Sequence, residues 1–172
     1  MNAHHSEFPI LRFEKVTIIN VDIIQSVARA IWEVTYRDII SQQQMDYMLD
    51  KMYSTDKILQ EIEKGFHWEV ASIDQDVVGY LDYVMEPDQR VFLSKIYLRP
   101  EVQKKGIGQS LLNRVIEFSK RNGGLAVYLT VNKDNAKAIS FYERNGFVTV
   151  DAVVAEIGNG YVMDDYIMQL DL

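Results

Sequence analysis

The sequence predicts a mixed α/β domain, and three observations carry that prediction. Segments with strand-like and helix-like patterning follow one another as strand, helices, three strands, helix, strand, helix, two strands. The stretch "LAVYLTV" (125–131) is nearly all apolar, as a central strand buried on both faces is. A helix separates it from the strand before it, so those two strands should run parallel through a right-handed crossover.

The elements follow in order. "FEKVTIIN" (13–20) is rich in β-branched residues and reads as a first strand. Asp22 is positioned to cap a helix whose apolar stripe is Ile23, Ile24, Val27, Ala30, Ile31 and Val34. Ser41 and Gln44 form a capping box opening a second helix. A third covers about 55 to 64, with Ile58, Leu59 and Ile62 on one face and Gly65 ending it. "FHWEVASI" and "VVGYLDYVM" read as a hairpin around "DQD", and "RVFLSKIYL" as a fourth strand stopped by Arg99-Pro100. After "QKKGIG" a helix places Leu111, Leu112, Val115 and Ile116 on one face, until Asn122-Gly123-Gly124 ends it. "NAKAISFYERNG" is a helix ended by Asn145-Gly146, and the last two strands join at "GNG".

Composition bounds the function. The 172 residues fit one domain with one core, spanning 1–172. A net charge of -7 argues against general nucleic-acid binding and modestly favours cationic ligands. The absence of cysteine excludes disulfides, thiolate zinc sites and a cysteine nucleophile. His4, His5 and His67 are too few and too scattered for a metal site, so no metal is expected. No apolar run reaches the ~18 residues a membrane span needs. The start shows no basic segment followed by a long apolar one, and a cytoplasmic protein with no membrane partner is expected.

Two local patterns carry chemistry. In "QKKGIG" (103–108), Gly106 and Gly108 strip side chains from a helix entrance, whose first amides lack intrahelical partners. With the macrodipole, Lys104, Lys105 and the Gln103 amide, this makes a phosphate site; a plain turn with solvated lysines is the competing reading. The turn lacks the spacing of a P-loop, and Leu111 stands where a dinucleotide fingerprint needs a third glycine. In the later helix Asn135 and Tyr142 share one face about 10 Å apart along the axis, with the small Ala138 between them. Taken singly, Asn135 also reads as an N-cap and Tyr142 as a core aromatic.

Together these motifs resemble the GNAT N-acetyltransferase superfamily. "QKKGIG" matches its Gln/Arg-x-x-Gly-x-Gly/Ala signature, and "NAKAISFYERNGF" is similar to its Asn-x-x-Ala-x-x-Phe-Tyr-x-x-x-Gly-Phe signature, in the expected order. The resemblance implies a central, mostly antiparallel sheet of six to seven strands with a parallel strand 4–strand 5 pair, flanked by four to five helices. It implies acetyl-CoA as co-substrate, its pyrophosphate held by Gln103, Lys104, Lys105, Gly106, Ile107, Gly108 and Gln109. Ile96, Tyr97 and Leu98 then match the strand whose backbone pairs with the pantetheine and the acetyl carbonyl, while Asn135, Ala138 and Tyr142 lie along the coenzyme. It further implies transfer to a primary amine by direct attack in a ternary complex. An amide near Leu98 would stabilise the oxyanion, and the Tyr142 phenol, with an ordinary pKa of about 10, would protonate the leaving thiolate.

The acceptor side is less marked. Some members carry a glutamate on strand 4 as base; here "FLSKIYL" offers Ser94 and Lys95, leaving Glu33, Asp82 and Glu69 as other carboxylates. Early helices rich in aromatic residues and methionine (Trp32, Tyr36, Tyr47, Met48, Met52 and Tyr53) suit an amphipathic cleft, and Glu33, Tyr36 and Tyr47 are the candidate substrate contacts. Asp164 and Asp165 are adjacent on the last strand and so face opposite sides, one of them open to the cleft. The tail and early helices are similar to the bacterial polyamine acetyltransferases of the family. A polyamine is the expected acceptor; other small amines and peptide N-termini stay open, as do a non-catalytic acyl-CoA-binding module and a nucleotide-binding regulator. The family also implies a homodimer.

Overall fold

The computed structural model describes residues 10–172, so His4 and His5 lie outside it. The elements are β1 (Leu11–Lys15), α1 (Val21–Thr35), α2 (Gln42–Tyr53), α3 (Thr55–Glu63), β2 (His67–Ile73), β3 (Asp76–Met85), β4 (Arg90–Leu98), a short 3-10 turn (Pro100–Val102), α4 (Ile107–Arg121), β5 (Ala126–Asn132), α5 (Ala136–Arg144), β6 (Val148–Gly158) and β7 (Tyr161–Asp171). One seven-stranded sheet runs in the order β1-β2-β3-β4-β5-β7-β6. Every neighbouring pair is antiparallel except β4–β5. Apolar side chains of α1, α2 and α3 form one core with Trp68, Val70 and Tyr80, and those of α4 and α5 form a second with Leu81, Leu93, Val127 and Leu129. Among the described residues no helix is long and apolar enough to cross a membrane, and no cluster of three or more His, Cys, Asp or Glu is arranged for a metal.

The beginning departs from the sequence reading. β1 ends at Lys15, and Ile18 and Ile19 are exposed rather than paired in a strand. Asn20 is the cause: its Oδ1 accepts from the Thr17 amide at 2.7 Å and its Nδ2 donates to the Lys15 carbonyl at 3.1 Å. A side chain that supplies such local bonds offers the backbone an alternative to the ladder. The helix therefore starts at Val21, with Asn20 rather than Asp22 at its cap position. Its buried stripe is Val21, Ile24, Val27, Ala28, Ile31 and Trp32, so Ile23, Ala30 and Val34 face outward. At α2 half of the capping box forms: Ser41 Oγ accepts from the Gln44 amide, whereas the Gln44 side chain reaches Met48 and the Val162 carbonyl.

One irregularity positions the site. Between β3 and β4 the register passes from Asp82↔Lys95 to Tyr83↔Leu93, leaving Ser94 as an extra residue on β4. A bulge of this kind bends its strand and sharpens the twist. β4 accordingly pairs with β5 only along Arg90–Phe92 against Ala126–Tyr128, and the strands part beyond it. The far half of β4 is held to β3 unusually closely. Gly79 sits opposite Leu98, where a Cβ would fall 2.3 Å from the Tyr97 carbonyl oxygen. Gly79→Ala should therefore displace Tyr97 and Leu98 and lower stability by about 1–3 kcal/mol, measured by urea unfolding. Unchanged stability would mean that β4 yields without cost.

Candidate active site

The parting of β4 from β5 opens a cleft of about 1260 Å³. Its walls include Ser94–Leu98 of β4, Leu129–Asn132 of β5, the turn before α4, the first turns of α5, Trp32 of α1 and Tyr36 just past its end. Past Phe92, β4 has no ladder partner on its β5 side. An extended ligand can occupy that position and take up main-chain hydrogen bonds.

The turn before α4 closes one end. Gly106 takes the cap position at φ +79°, and no side chain caps the helix. An added Cβ at Gly106 would meet nothing within 4 Å, but the left-handed φ itself disfavours other residues. Gly108 is different. Its φ is unexceptional, and its Cβ would make ordinary contact with the Phe141 ring at 3.8 Å. Nothing within the chain requires glycine there, although glycine weakens a helix. The missing side chain leaves open space on that side of the turn. Lys104 lies nearby with φ +63°, and the Lys137 ammonium reaches the Gln103 Oε1. Gln103 Nε2 in turn donates to the Leu98 carbonyl at 3.0 Å, tying the turn to the end of β4. Uncapped amides at the positive end of a helix, flanked by lysines, fit a diphosphate.

α5 carries the second group. Asn135 caps it, Oδ1 accepting from the Ala138 amide at 3.2 Å, and both residues line the cleft. Tyr142 also lines it, its ring wedged between Phe141 and Phe147 at 5.4 and 5.6 Å between centroids. Burial raises the Tyr142 phenol above its usual range, so it stays protonated through neutral pH. No partner for its hydroxyl is found among the described residues.

The aromatic wall stands opposite. The Tyr36 and Tyr97 hydroxyls share a hydrogen bond of 2.8 Å, and Trp32 packs on Tyr36 at 4.7 Å. Burial pushes the Tyr36 phenol up to about 12. Asp165 adds to that shift through its charge and itself lines the cleft. Its exposure is 4%, its Oδ1 has no hydrogen-bond partner, and burial pushes its carboxyl up to about 6. Neighbouring Asp164 is exposed and pairs with Lys133 at 2.6 Å.

Of the candidates named from sequence, Ile96, Tyr97, Leu98, Gln103, Lys104, Gly106, Gly108, Gln109, Asn135, Ala138, Tyr142 and Tyr36 line this one cleft. Lys105 and Ile107 belong to the same turn without lining it. Two others lie elsewhere. Glu33 is exposed on α1 beside Arg29, and Tyr47 packs on Tyr161 while donating to the Ile157 carbonyl. The remaining carboxylates are engaged: Glu69 takes the Arg114 fork at 2.6 Å, and fully buried Asp82 accepts from Lys95 at 3.0 Å. Lys137 and Asn132 also line the cleft and were not singled out from sequence. Lys137 has a legible signal, two residues past the Asn135 cap; Asn132 has none.

Comparison with known proteins agrees with this geometry. The profile of the acetyltransferase (GNAT) family matches residues 28–147. A spermidine N(1)-acetyltransferase of Thermoplasma acidophilum is 28% identical over 159 residues, covering 90% of this chain and 96% of that protein. A probable spermine N(1)-acetyltransferase of Bacillus subtilis subsp. natto is 25% identical over 118 residues, 63% of this chain and 75% of the relative. The crystal structure of PaiA N-acetyltransferase from Thermoplasma acidophilum, in complex with coenzyme A, superposes with a TM-score of 0.81 at 27% identity, covering 95% of this chain and 99% of that one. With a family profile across most of its length and a cleft shaped for a thioester carrier, the chain belongs to the GNAT family of acetyl-CoA-dependent N-acetyltransferases.

Proposed function

We propose that this acetyltransferase acts on a polyamine or a similar small cationic amine, by direct attack within a ternary complex. The observation that carries the reading is the change of character along the cleft. Lysines gather at the glycine turn, while Trp32, Tyr36, Tyr97 and the buried Asp165 carboxylate form the other wall. An aromatic face beside a carboxylate favours an ammonium group, and the relatives named for spermidine and spermine agree with it.

When bound, acetyl-CoA supplies the thioester that the amine attacks. The turn amides of Ile107, Gly108 and Gln109, with Lys104 and Lys105, bind the diphosphate, and the unpaired edge of β4 orients the acyl arm. The Leu98 amide donates to the carbonyl oxygen as negative charge develops on it. Tyr142 holds a proton at its phenol oxygen and delivers it to sulfur as the carbon–sulfur bond breaks. Asn135 and Ala138 shape the channel between.

A panel of amines with acetyl-CoA, followed by free-thiol release, tests the reading. Spermidine should exceed butylamine in kcat/KM by about tenfold or more, the equivalent of roughly 1.4 kcal/mol from a second ammonium. A peptide N-terminus or an amino sugar as the best acceptor would displace the polyamine assignment.

A further inference from the structure

We propose that Asp165 is the general base of the reaction, taking the proton from the acceptor ammonium; the proposal rests on the transferase reading above. β4 offers no carboxylate to the cleft, since Ser94, Lys95 and Ile96 occupy that stretch. Among the described residues the carboxylates lining the cleft are Asp38, Asp134 and Asp165, and the first two are exposed. Glu69 is committed to Arg114, Asp82 to Lys95, and Glu61 to Lys57 and the Trp68 indole. Asp165 alone combines burial, a place in the cleft wall and an oxygen with no partner.

Its surroundings suit the task. On β7 it stands between Asn132 of β5 and Val153 of β6, neither of which is charged. From the end of α1 comes the neutral Tyr36 phenol, linked by its hydroxyl to Tyr97 of β4. The charges near it are Asp164, which raises its proton affinity, and Lys133, which lowers it but is drawn aside by Asp164. A carboxyl poised at about 6 is ionised at neutral pH and more basic than an ordinary aspartate.

The step balances. The Asp165 carboxylate accepts one proton from the ammonium, and the freed nitrogen lone pair forms the carbon–nitrogen bond. The carbon–sulfur bond breaks, sulfur takes the Tyr142 proton, and the second proton lost by nitrogen restores the phenol. The Asp165 proton passes to solvent.

Asp165→Asn, nearly isosteric, tests this with spermidine across pH 5 to 9. In the parent, the carboxylate acts on the abundant ammonium, so kcat/KM should rise to about pH 6 and then level. In the variant only free amine reacts, so kcat/KM should be about a hundredfold lower at pH 7 and keep rising toward the amine pKa. Carbon-13 NMR of the ligand-free protein should show an aspartate titrating near 6 that the variant lacks, while the signal of Asp82, likewise raised by burial, persists in both. Coenzyme A affinity should not change, which separates this test from one of the transferase reading. Parallel pH profiles in parent and variant, or a loss confined to KM, would overturn the proposal. A parent that acetylates no amine overturns the reading beneath it and the proposal with it.

Discussion

Tyr142→Phe lowers kcat for acetyl transfer by about 10²–10⁴-fold and leaves the Kd for coenzyme A unchanged. The substitution removes one oxygen and keeps the ring against Phe141 and Phe147, so neither fold nor channel should suffer. What disappears is a proton held where sulfur departs. The upward shift of this phenol, caused by burial, keeps it protonated at neutral pH, as a resting donor must be. Stopped-flow single turnovers with calorimetric binding would check it. Equal turnover in parent and variant would remove Tyr142 from the mechanism and point to water as the proton source.

Replacing Gly106 and Gly108 together by valine weakens coenzyme A binding by about 10–10³-fold, the equivalent of one to a few kcal/mol. The two positions act differently. Valine at Gly106 must adopt φ +79°, which a β-branched residue resists, so the turn reshapes and its amides swing away. Valine at Gly108 meets only the Phe141 ring, and the chain tolerates it, but its methyls occupy the space argued to belong to the diphosphate. Gly108→Val alone is therefore the decisive variant: it should fold normally and still lose affinity. Titration of coenzyme A by calorimetry, with circular dichroism as the folding control, measures both. A folded Gly108→Val protein with parental affinity would show that the carrier does not use this turn.

The frame of the fold was open to reading because its signals are local. β5 shows itself by a nearly all-apolar run, and α4 by three residues, Leu111, Leu112 and Val115, that are all fully buried. The beginning was not, because Ile18 and Ile19 have strand propensity while Asn20, a residue of weak signal, decides their conformation through two hydrogen bonds. The site divides the same way. Its glycine turn and the Asn135–Tyr142 face are contiguous in sequence and legible there. The wall proposed for the acceptor is assembled from Trp32, Tyr36, β4 and β7, and no spacing rule announces the bulge at Ser94 that bends β4. Asp165 was visible only as half of an alternating pair; its burial with one carboxylate oxygen unpartnered belongs to the tertiary structure.

The extra residue at Ser94 also bears on how the molecule is completed. A continuous seam between β4 and β5 would be sturdier, and the chain forgoes it over half the length of a central strand. In the reading proposed above, the guest that fills the gap stands in for a missing strand, so recognition of the carrier and the cohesion of the sheet draw on the same set of peptide groups. On that reading, gain of the ligand and gain of rigidity are one event.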